Sequence, residues 1–446
     1  MRFSELDGAR VGVWGAGREI TSFAAQLRRR APEARIEVAA FDSPPPGDVG
    51  EALGAPGALV VDAQRAAAAL AGCDVVVRSP GVSIHRPELR ALAASGTPVT
   101  TATALWLAER GGRGVIGVTG TKGKSTTAAL AAHLARAAGR GAELAGNIGR
   151  PALELLDLDP DVLAVVELSS YHLADLEEGP EVAVVTNLFS EHVDWHGSER
   201  AYQEDKLRIL TLPGVREVVL PARQPELASS PTSAARRLFG TPEGWDVSAE
   251  GVSLQGRLRV PAGALPLPGE HNALNLCAAL AALQAAGVEV EDPAAALAGF
   301  RGLDHRLQTV LERDGVSWVD DSISTTPESA LAALASFPGR PVVLLGGGQD
   351  RDQDYGALGE ELARRGAVTI GMPTTGPRLL GAARAAGLAA ELAFAAEDLA
   401  EAVALARAHA APGAVVLLSP AAPSYDRFRD FEQRGERFAA LARGER

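Results

Sequence analysis

Short apolar runs, rich in valine and leucine, recur along the chain and alternate with alanine-rich stretches of helical length. The runs at 11–14, 115–118, 162–166, 182–185, 342–345 and 415–418 lack polar alternation, the pattern of strands buried on both faces of a parallel sheet. Between them, 126–138, 274–286 and 329–337 read as helices, because periodic leucine and valine continue through the alanine. Strand–helix alternation of this kind predicts doubly wound α/β layers. Two breaks divide the pattern. A new strand–helix unit with its own glycine-rich loop opens at Gly114, and after Gly302 an antiparallel pair is expected at 307–312 and 317–319. The expected domains are 1–103, 104–302 and 303–446, each of this α/β kind.

Length and charge narrow the class. A chain of 446 residues is too long for one ordinary core, and 46% hydrophobic with 22% charged residues is a soluble globular composition. The formal charge of −13 argues against general affinity for nucleic acid or anionic membrane, yet leaves room for local cationic pockets. Cys73 and Cys277 are too few and too far apart for a disulfide framework or a metal site. The N-terminus lacks the order of a signal peptide, and no run of about 18 apolar residues suggests a membrane span. A cytoplasmic monomer is expected.

The richest chemistry lies at Gly120-Thr121-Lys122-Gly123-Lys124-Ser125-Thr126, between the strand at 115–118 and the helix that follows. Glycines let backbone N–H groups converge on phosphate oxygens, and the helix N-terminus adds partial positive charge. Lys124 can reach outer phosphates and the Ser125 hydroxyl can ligate Mg²⁺. The longer P-loop spacing would place glycine where Val118 stands, so the match is the shorter Gly-x-x-Gly-Lys-Ser. ATP is the expected ligand.

Two further features converge on the same crevice. The strand at 162–166 runs into Glu167, a carboxylate at the carboxyl end of a buried strand, where α/β sheets bind ligands. Mg²⁺ takes few protein oxygens, so Ser125 plus Glu167 would suffice. After the strand at 182–185, either His192 or the pair Glu191 and Asp194 could ligate a metal. Ser198 reads as an N-cap, and Lys206 lies four residues after Tyr202, three before Ile209 and four before Leu210, on the apolar face of the helix. Spacing favours snorkelling, with only the methylenes covered. The alternative is a buried, neutral amine that takes up CO₂ as a carbamate, an oxygen ligand for a second Mg²⁺.

Together, Gly120-Thr-Lys-Gly-Lys-Ser-Thr-Thr, Gly146-Asn147-Ile-Gly149, Glu167-Leu-Ser-Ser, Asn187…Glu191-His192, Lys206-Leu, Gly269-Glu-His-Asn272-Ala-Leu-Asn275 and His305-Arg306 resemble the Mur ligases nearly end to end. The tail, Leu418-Ser-Pro-Ala421…Ser424-Tyr-Asp426…Phe431-Glu-Gln-Arg434-Gly435, is similar to the members that add glutamate. The resemblance implies three domains, a Rossmann-like UDP-substrate domain at 1–103, a P-loop-type ATPase domain at 104–302 and a Rossmann-like amino-acid-binding domain at 303–446, and ATP-dependent amide formation between UDP-N-acetylmuramoyl-L-alanine and glutamate. Lys124 would hold phosphates, Ser125 and Glu167 one Mg²⁺, and His192 and carbamylated Lys206 a second. Asn272, Arg306 and Asp321 match ATP contacts, and Asn147 a contact to the muramyl substrate. Gly15, Gly17, Arg18, Asp42, Ser79 and Gly81 match the loops that hold the UDP moiety.

The chain departs from the family where the amino acid should be read. The usual Asp-Ser-Lys-Ala-Thr-Asn is Asp321-Ser322-Ile323-Ser324-Thr325-Thr326, so an aliphatic group replaces a lysine. A second usual lysine is missing from Gly346-Gly-Gly-Gln349-Asp350-Arg351, where Arg351 stands nearby. With Thr325, Ser424 and Phe431, it forms the expected amino-acid site. These changes resemble the branch that adds L-glutamate, with D-glutamate as the alternative. An NAD-dependent oxidoreductase built on Gly15-x-Gly17 would leave the phosphate loop unexplained. A ligase of the folyl-polyglutamate type would leave the N-terminal domain unused.

Overall fold

The computed structural model describes residues 1–446 except 43–52, 56, 190–192, 266, 268, 301 and 446. Three sheets organise the described residues. The first contains β1 (Arg10–Trp14), β2 (Arg35–Phe41), β3 (Leu59–Asp62), β4 (Val75–Arg78) and β5 (Val99–Thr100), all parallel, in the order β3-β2-β1-β4-β5. The second is built from β6 (Val115–Thr119), β7 (Ala142–Gly146), β8 (Leu163–Glu167), β9 (Val182–Val185), β10 (Glu217–Pro221), β11 (Ala235–Phe239), β12 (Trp245–Ser248), β13 (Gly251–Leu254) and β14 (Arg257–Pro261). Its order is β14-β13-β12-β11-β10-β9-β6-β8-β7, parallel except for the antiparallel β12–β13–β14 edge. β6, β8 and β9 are buried at every position, as their unbroken apolar sequences predict.

These two sheets form one compact unit, Met1–Phe300. One apolar cluster runs from Phe3, Ile20 and Phe23 through Trp106 and Leu153 to Val166, Leu173 and Val185, so both sheets share a core. Trp106 sits on the helix Ala102–Arg110, capped by the Thr101 hydroxyl and closed by Gly111 in the left-handed conformation. That helix runs across residue 103, where a domain edge was expected. In the second sheet, the helices Lys124–Ala137 and Glu270–Ala285 bury most of their side chains, and their alanines permit close backbone approach.

The second unit, Arg301–Arg446, holds β15 (Gln308–Arg313), β16 (Val316–Asp320), β17 (Val342–Gly346), β18 (Val368–Gly371), β19 (Ala393–Ala395) and β20 (Val415–Leu418) in the order β15-β16-β20-β17-β18-β19. β15 and β16 pair antiparallel and the remaining neighbours are parallel. The fold class is α/β, with predominantly parallel sheets. No helix among the described residues is long and apolar enough to cross a membrane.

Candidate active site

The segment Gly120–Gly123 turns sharply between β6 and the helix Lys124–Ala137, and both glycines are sterically required. Gly120 has φ 138°, and a Cβ there would lie 2.0 Å from Thr186 Oγ1. Gly123 has φ 82° and would bring a Cβ to 2.2 Å from Asn275 Oδ1. The end of β9 holds the loop in shape: Lys122 N–H donates to Asn187 Oδ1 at 2.8 Å, and Thr186 Oγ1 and Asn187 Nδ2 donate to Lys122 O at 2.6 and 3.0 Å. Thr121 is buried, its hydroxyl 2.9 Å from Tyr202 Oη. Lys124 folds back so that Nζ donates to Thr121 O at 2.8 Å, and Ser125 and Thr127 are buried in the first helical turn. Thr126 is half-buried. Thr127 Oγ1 has no partner among the described residues.

Glu167 ends β8 beside the start of this loop, paired in register with Val118 of β6 and Gly146 of β7. It is 1% exposed, which costs a carboxylate heavily unless its oxygens are satisfied. Asn147 Nδ2 donates to Oε1 at 3.0 Å, while Oε2 has no partner among the described residues. A buried anionic oxygen left open next to a phosphate-type loop is the donor a hard divalent cation prefers.

Lys206 corrects the expectation of snorkelling. The residue is 2% exposed, and its Nζ donates to Gly120 O at 2.9 Å and lies 4.9 Å from the Tyr202 ring. The Ser198 hydroxyl caps the helix Glu199–Leu207 as expected, and a 3₁₀ turn follows. Tyr202, Ile209 and Leu210 are buried with Lys206, so the shared face was read correctly and the amine's depth was not. His192 and Glu191 lie outside the described residues. Asn272 stands in the first turn of the helix Glu270–Ala285, accepting from Asn275, the residue against Gly123.

The loops at the carboxyl ends of β1 and β4 also converge. Ser79 N–H donates to Trp14 O at 2.7 Å, and Cβ atoms at Gly15 and Gly17 would lie 2.7 and 3.2 Å from the Ser79 side chain. Arg18 Nη1 reaches Gly149 O at 3.4 Å, and Gly81 O accepts from Trp195 Nε1 at 3.1 Å. Asp42 Oδ1 accepts from Arg86 Nη1 at 2.5 Å and from Trp14 Nε1 at 3.3 Å. A ligand that uses Asp42 must compete with Arg86.

Sequence reasoning missed the ionic seam between the first two sheets. Arg78 is fully buried at the end of β4, pairs with Asp175 at 2.8 Å and donates to Val82 O and Tyr171 O. His172 bridges Ser169 Oγ at 2.6 Å and Glu19 Oε1 at 2.6 Å. Burial pushes the Asp175 carboxyl up despite Arg78. For Glu19, burial is overcome by His172, Thr103 and Arg78, which hold it below its usual value. Partners separated by 97 and 153 positions leave no spacing signal in a sequence.

In the second unit, Asp321 follows β16 and is 3% exposed. It accepts from Ser324 Oγ at 2.5 Å, Ser419 Oγ at 2.8 Å and Leu307 N–H at 3.2 Å. Burial outweighs these bonds and nearby Arg306, pushing the carboxyl up to about 6. Arg306 Nε is buried with no partner among the described residues. Burial works against charge on His305, but the bond to Asp320 at 2.7 Å outweighs it and raises its pKa. Ser424 is buried, and Phe431 opens the helix Phe431–Arg443, with its ring edge-on to His305. Thr325 is half-buried and Arg351 exposed. Arg378, unremarked in the sequence, donates to Asp350 at 2.5 Å and Gln353 O at 2.7 Å. A cavity of about 350 Å³ lies above the strand ends, lined by Gly347, Gly348, Met372, Asp398, Asp426 and Arg434.

Comparison with known proteins agrees with this geometry. Residues 118–283 match the family described as Mur ligase middle domain, and 305–422 the one described as Mur ligase, glutamate ligase domain. A protein of Micromonospora sp. named UDP-N-acetylmuramoyl-L-alanine–L-glutamate ligase is 43% identical over 99% of this chain and 98% of its own. One of the same name from Xanthomonas campestris pv. campestris is 44% identical over 99% and 97%. Among solved structures, the UDP-N-acetylmuramate–alanine ligase of Thermotoga maritima superposes with a TM-score of 0.58 at 19% identity, covering 98% of this chain and 99% of that one. The MurF ligase of the same organism, in complex with ADP, gives 0.54 at 19% identity over 100% and 97%. The chain therefore belongs to the Mur ligase family of ATP-dependent, amide-forming ligases.

Proposed function

We propose that this ligase joins L-glutamate to the carboxylate of UDP-N-acetylmuramoyl-L-alanine while ATP is cleaved to ADP and phosphate. The substrate pair follows the names of relatives that match nearly the whole chain. The observation that carries the ATP chemistry is the buried Glu167 carboxylate, its Oε2 open beside the glycine loop. Ile323 in place of the family's lysine supports the L-enantiomer. A UDP-linked substrate and ATP are both cytoplasmic compounds, which supports a cytoplasmic site of action.

A carboxylate is a poor acyl donor because oxide would have to leave. Its oxygen attacks the γ-phosphorus, ADP departs, and a mixed carboxylic–phosphoric anhydride forms. The glutamate amine then attacks the carbonyl carbon, the tetrahedral adduct expels phosphate, and the ammonium proton is lost to solvent. Backbone N–H groups of Gly123, Lys124 and Ser125 at the helix start, together with Lys124 Nζ, hold phosphate oxygens, lowering the repulsion between two anions. For Lys124 this requires giving up its bond to Thr121 O. Gly15, Gly17, Ser79 and Gly81 bind the UDP end with Arg18 and Asp42, and Asn147 orients both Glu167 and the muramyl arm. Asn272, Arg306 and Asp321 contact the nucleotide, and Thr325, Arg351, Ser424 and Phe431 receive glutamate.

Ser125 and Glu167 fit a magnesium ion, which when bound neutralises phosphate charge. A second would use His192 and Lys206 after carbamylation, in which the Lys206 amine adds to CO₂ and releases one proton. The Lys206 amine is buried beside Gly120 O, at the start of the phosphate loop.

The test supplies ATP, Mg²⁺ and UDP-N-acetylmuramoyl-L-alanine and follows phosphate release with each glutamate enantiomer. Release with L-glutamate alone is expected. Release with D-glutamate alone would reassign the enantiomer, and release with neither would defeat the glutamate reading.

A further inference from the structure

Away from the phosphate loop, three side chains of metal-binding type meet where the loop after β4 packs on the helices after β9. His85 lies in that loop at the surface, its side chain 28% exposed. His196 ends the short helix Val193–His196 and is 3% exposed, and Asp205 on Glu199–Leu207 is 8% exposed. His85 Nε2 and His196 Nδ1 lie 2.8 and 2.7 Å from the same oxygen, Asp205 Oδ2, and one ligand atom from each residue falls within 4.8 Å of the others.

We propose that His85, His196 and Asp205 bind a divalent transition-metal ion of the zinc class, at a site separate from the magnesium crevice. Two imidazoles and one carboxylate suit Zn²⁺ or Co²⁺, whereas Mg²⁺ prefers oxygen alone. Three protein ligands leave a fourth tetrahedral position, and the half-exposed His85 gives an entry path. The second nitrogen of His196 lies 2.9 Å from Ser170 Oγ, an outer contact that fixes the ring's orientation. Trp195 packs edge-on to His85 and tilted against His196, and Tyr202 packs edge-on to His196, which is buried.

Binding replaces two N–H···O bonds with metal bonds. The His85 proton passes to Nδ1, releasing the 3.4 Å contact from Arg90 Nη2, and the His196 proton passes to Nε2, which then donates to Ser170 Oγ. No redox change is involved. The ion bridges the loop that carries Ser79 and Gly81 to the helix that carries Lys206, so its occupancy stiffens that junction.

The experiment uses the full, metal-stripped chain with excess Mg²⁺ and ADP present and titrates it with Co²⁺. One equivalent should develop the intense visible bands of tetrahedral Co²⁺. His85→Ala, a rim substitution, and Asp205→Asn should each abolish the bands with an unchanged far-ultraviolet circular dichroism spectrum, and Glu167→Gln should keep them. Zn²⁺ should raise the thermal midpoint of the unmodified chain and leave that of His85→Ala unmoved. Bands that persist in His85→Ala but vanish in Glu167→Gln would place the ion in the crevice and overturn the proposal. Absence of tetrahedral bands in the unmodified chain would reduce the cluster to a hydrogen-bonded seam and overturn it equally.

Discussion

The strand-end crevices of the two units are built in opposite ways. In the first unit, ligand-facing groups come mostly from backbone: a glycine loop pinned by Thr186 and Asn187, with one carboxylate and one lysine buried against it. In the second, the cavity walls come from loops after several strands, and polar side chains in and near them are tied down, Arg434 donating to Ser322 O and Asp321 accepting from Ser419. A backbone cradle tolerates little change and binds phosphates by geometry. A side-chain pocket can exchange one residue for another and keep its fold.

The contrast breaks most sharply at Lys124. Lys124→Met should lower kcat by about 10³-fold or more with either glutamate enantiomer, since it removes a charge facing phosphate rather than amino acid. Steady-state phosphate release checks it, and near-normal turnover would mean the loop is structural. Lys206→Ala should cost on the order of 10²-fold, with partial rescue by added short carboxylic acids, because these return an oxygen anion to the place a carbamate would fill. Full activity without rescue would leave Lys206 as a prop for Gly120 O.

In the second unit, Asp321 is buried just past β16. Its carboxyl titrates at about 6 in the folded protein against 3.8 ordinarily, so the native state binds more protons between those values. Stability should therefore fall as pH rises from about 4 to about 6 and level off above, by up to about 3 kcal/mol. Urea unfolding of Asp321→Asn across that range should lack the decline. The smallest effect is expected at Arg351, which is exposed. Arg351→Ala should raise KM for glutamate about tenfold with KM for ATP unchanged, as loss of one solvent-screened carboxylate contact would. An equal rise for ATP would move Arg351 out of the amino-acid site.

How much could be read from sequence follows the same division. Strand ends, the loop at Gly120–Gly123 and Glu167 were legible because local spacing dictates them: an apolar run, a glycine turn, a carboxylate one step past the strand. The helix carrying Lys206 was legible to its Ser198 cap, yet the depth of the amine was not, because burial depends on what covers a face. The seams at Arg78–Asp175 and His172–Glu19 were invisible for that reason too. The continuous core through Trp106, which makes one compact unit of the first two sheets, was equally hidden. Of the expected metal ligands, His192 lies outside the described residues, and that expectation rests on sequence alone.

In the proposed reaction, the crevice at β6 and β8 hands a phosphoryl group to a carboxylate before the amide forms. UDP-N-acetylmuramoyl-L-alanine labelled with ¹⁸O in both carboxylate oxygens tests it in one turnover, with ATP and L-glutamate present and mass analysis of the phosphate released. One ¹⁸O per phosphate is predicted, because the oxygen that attacks phosphorus leaves with it. Phosphate free of label, alongside amide product, would contradict the account.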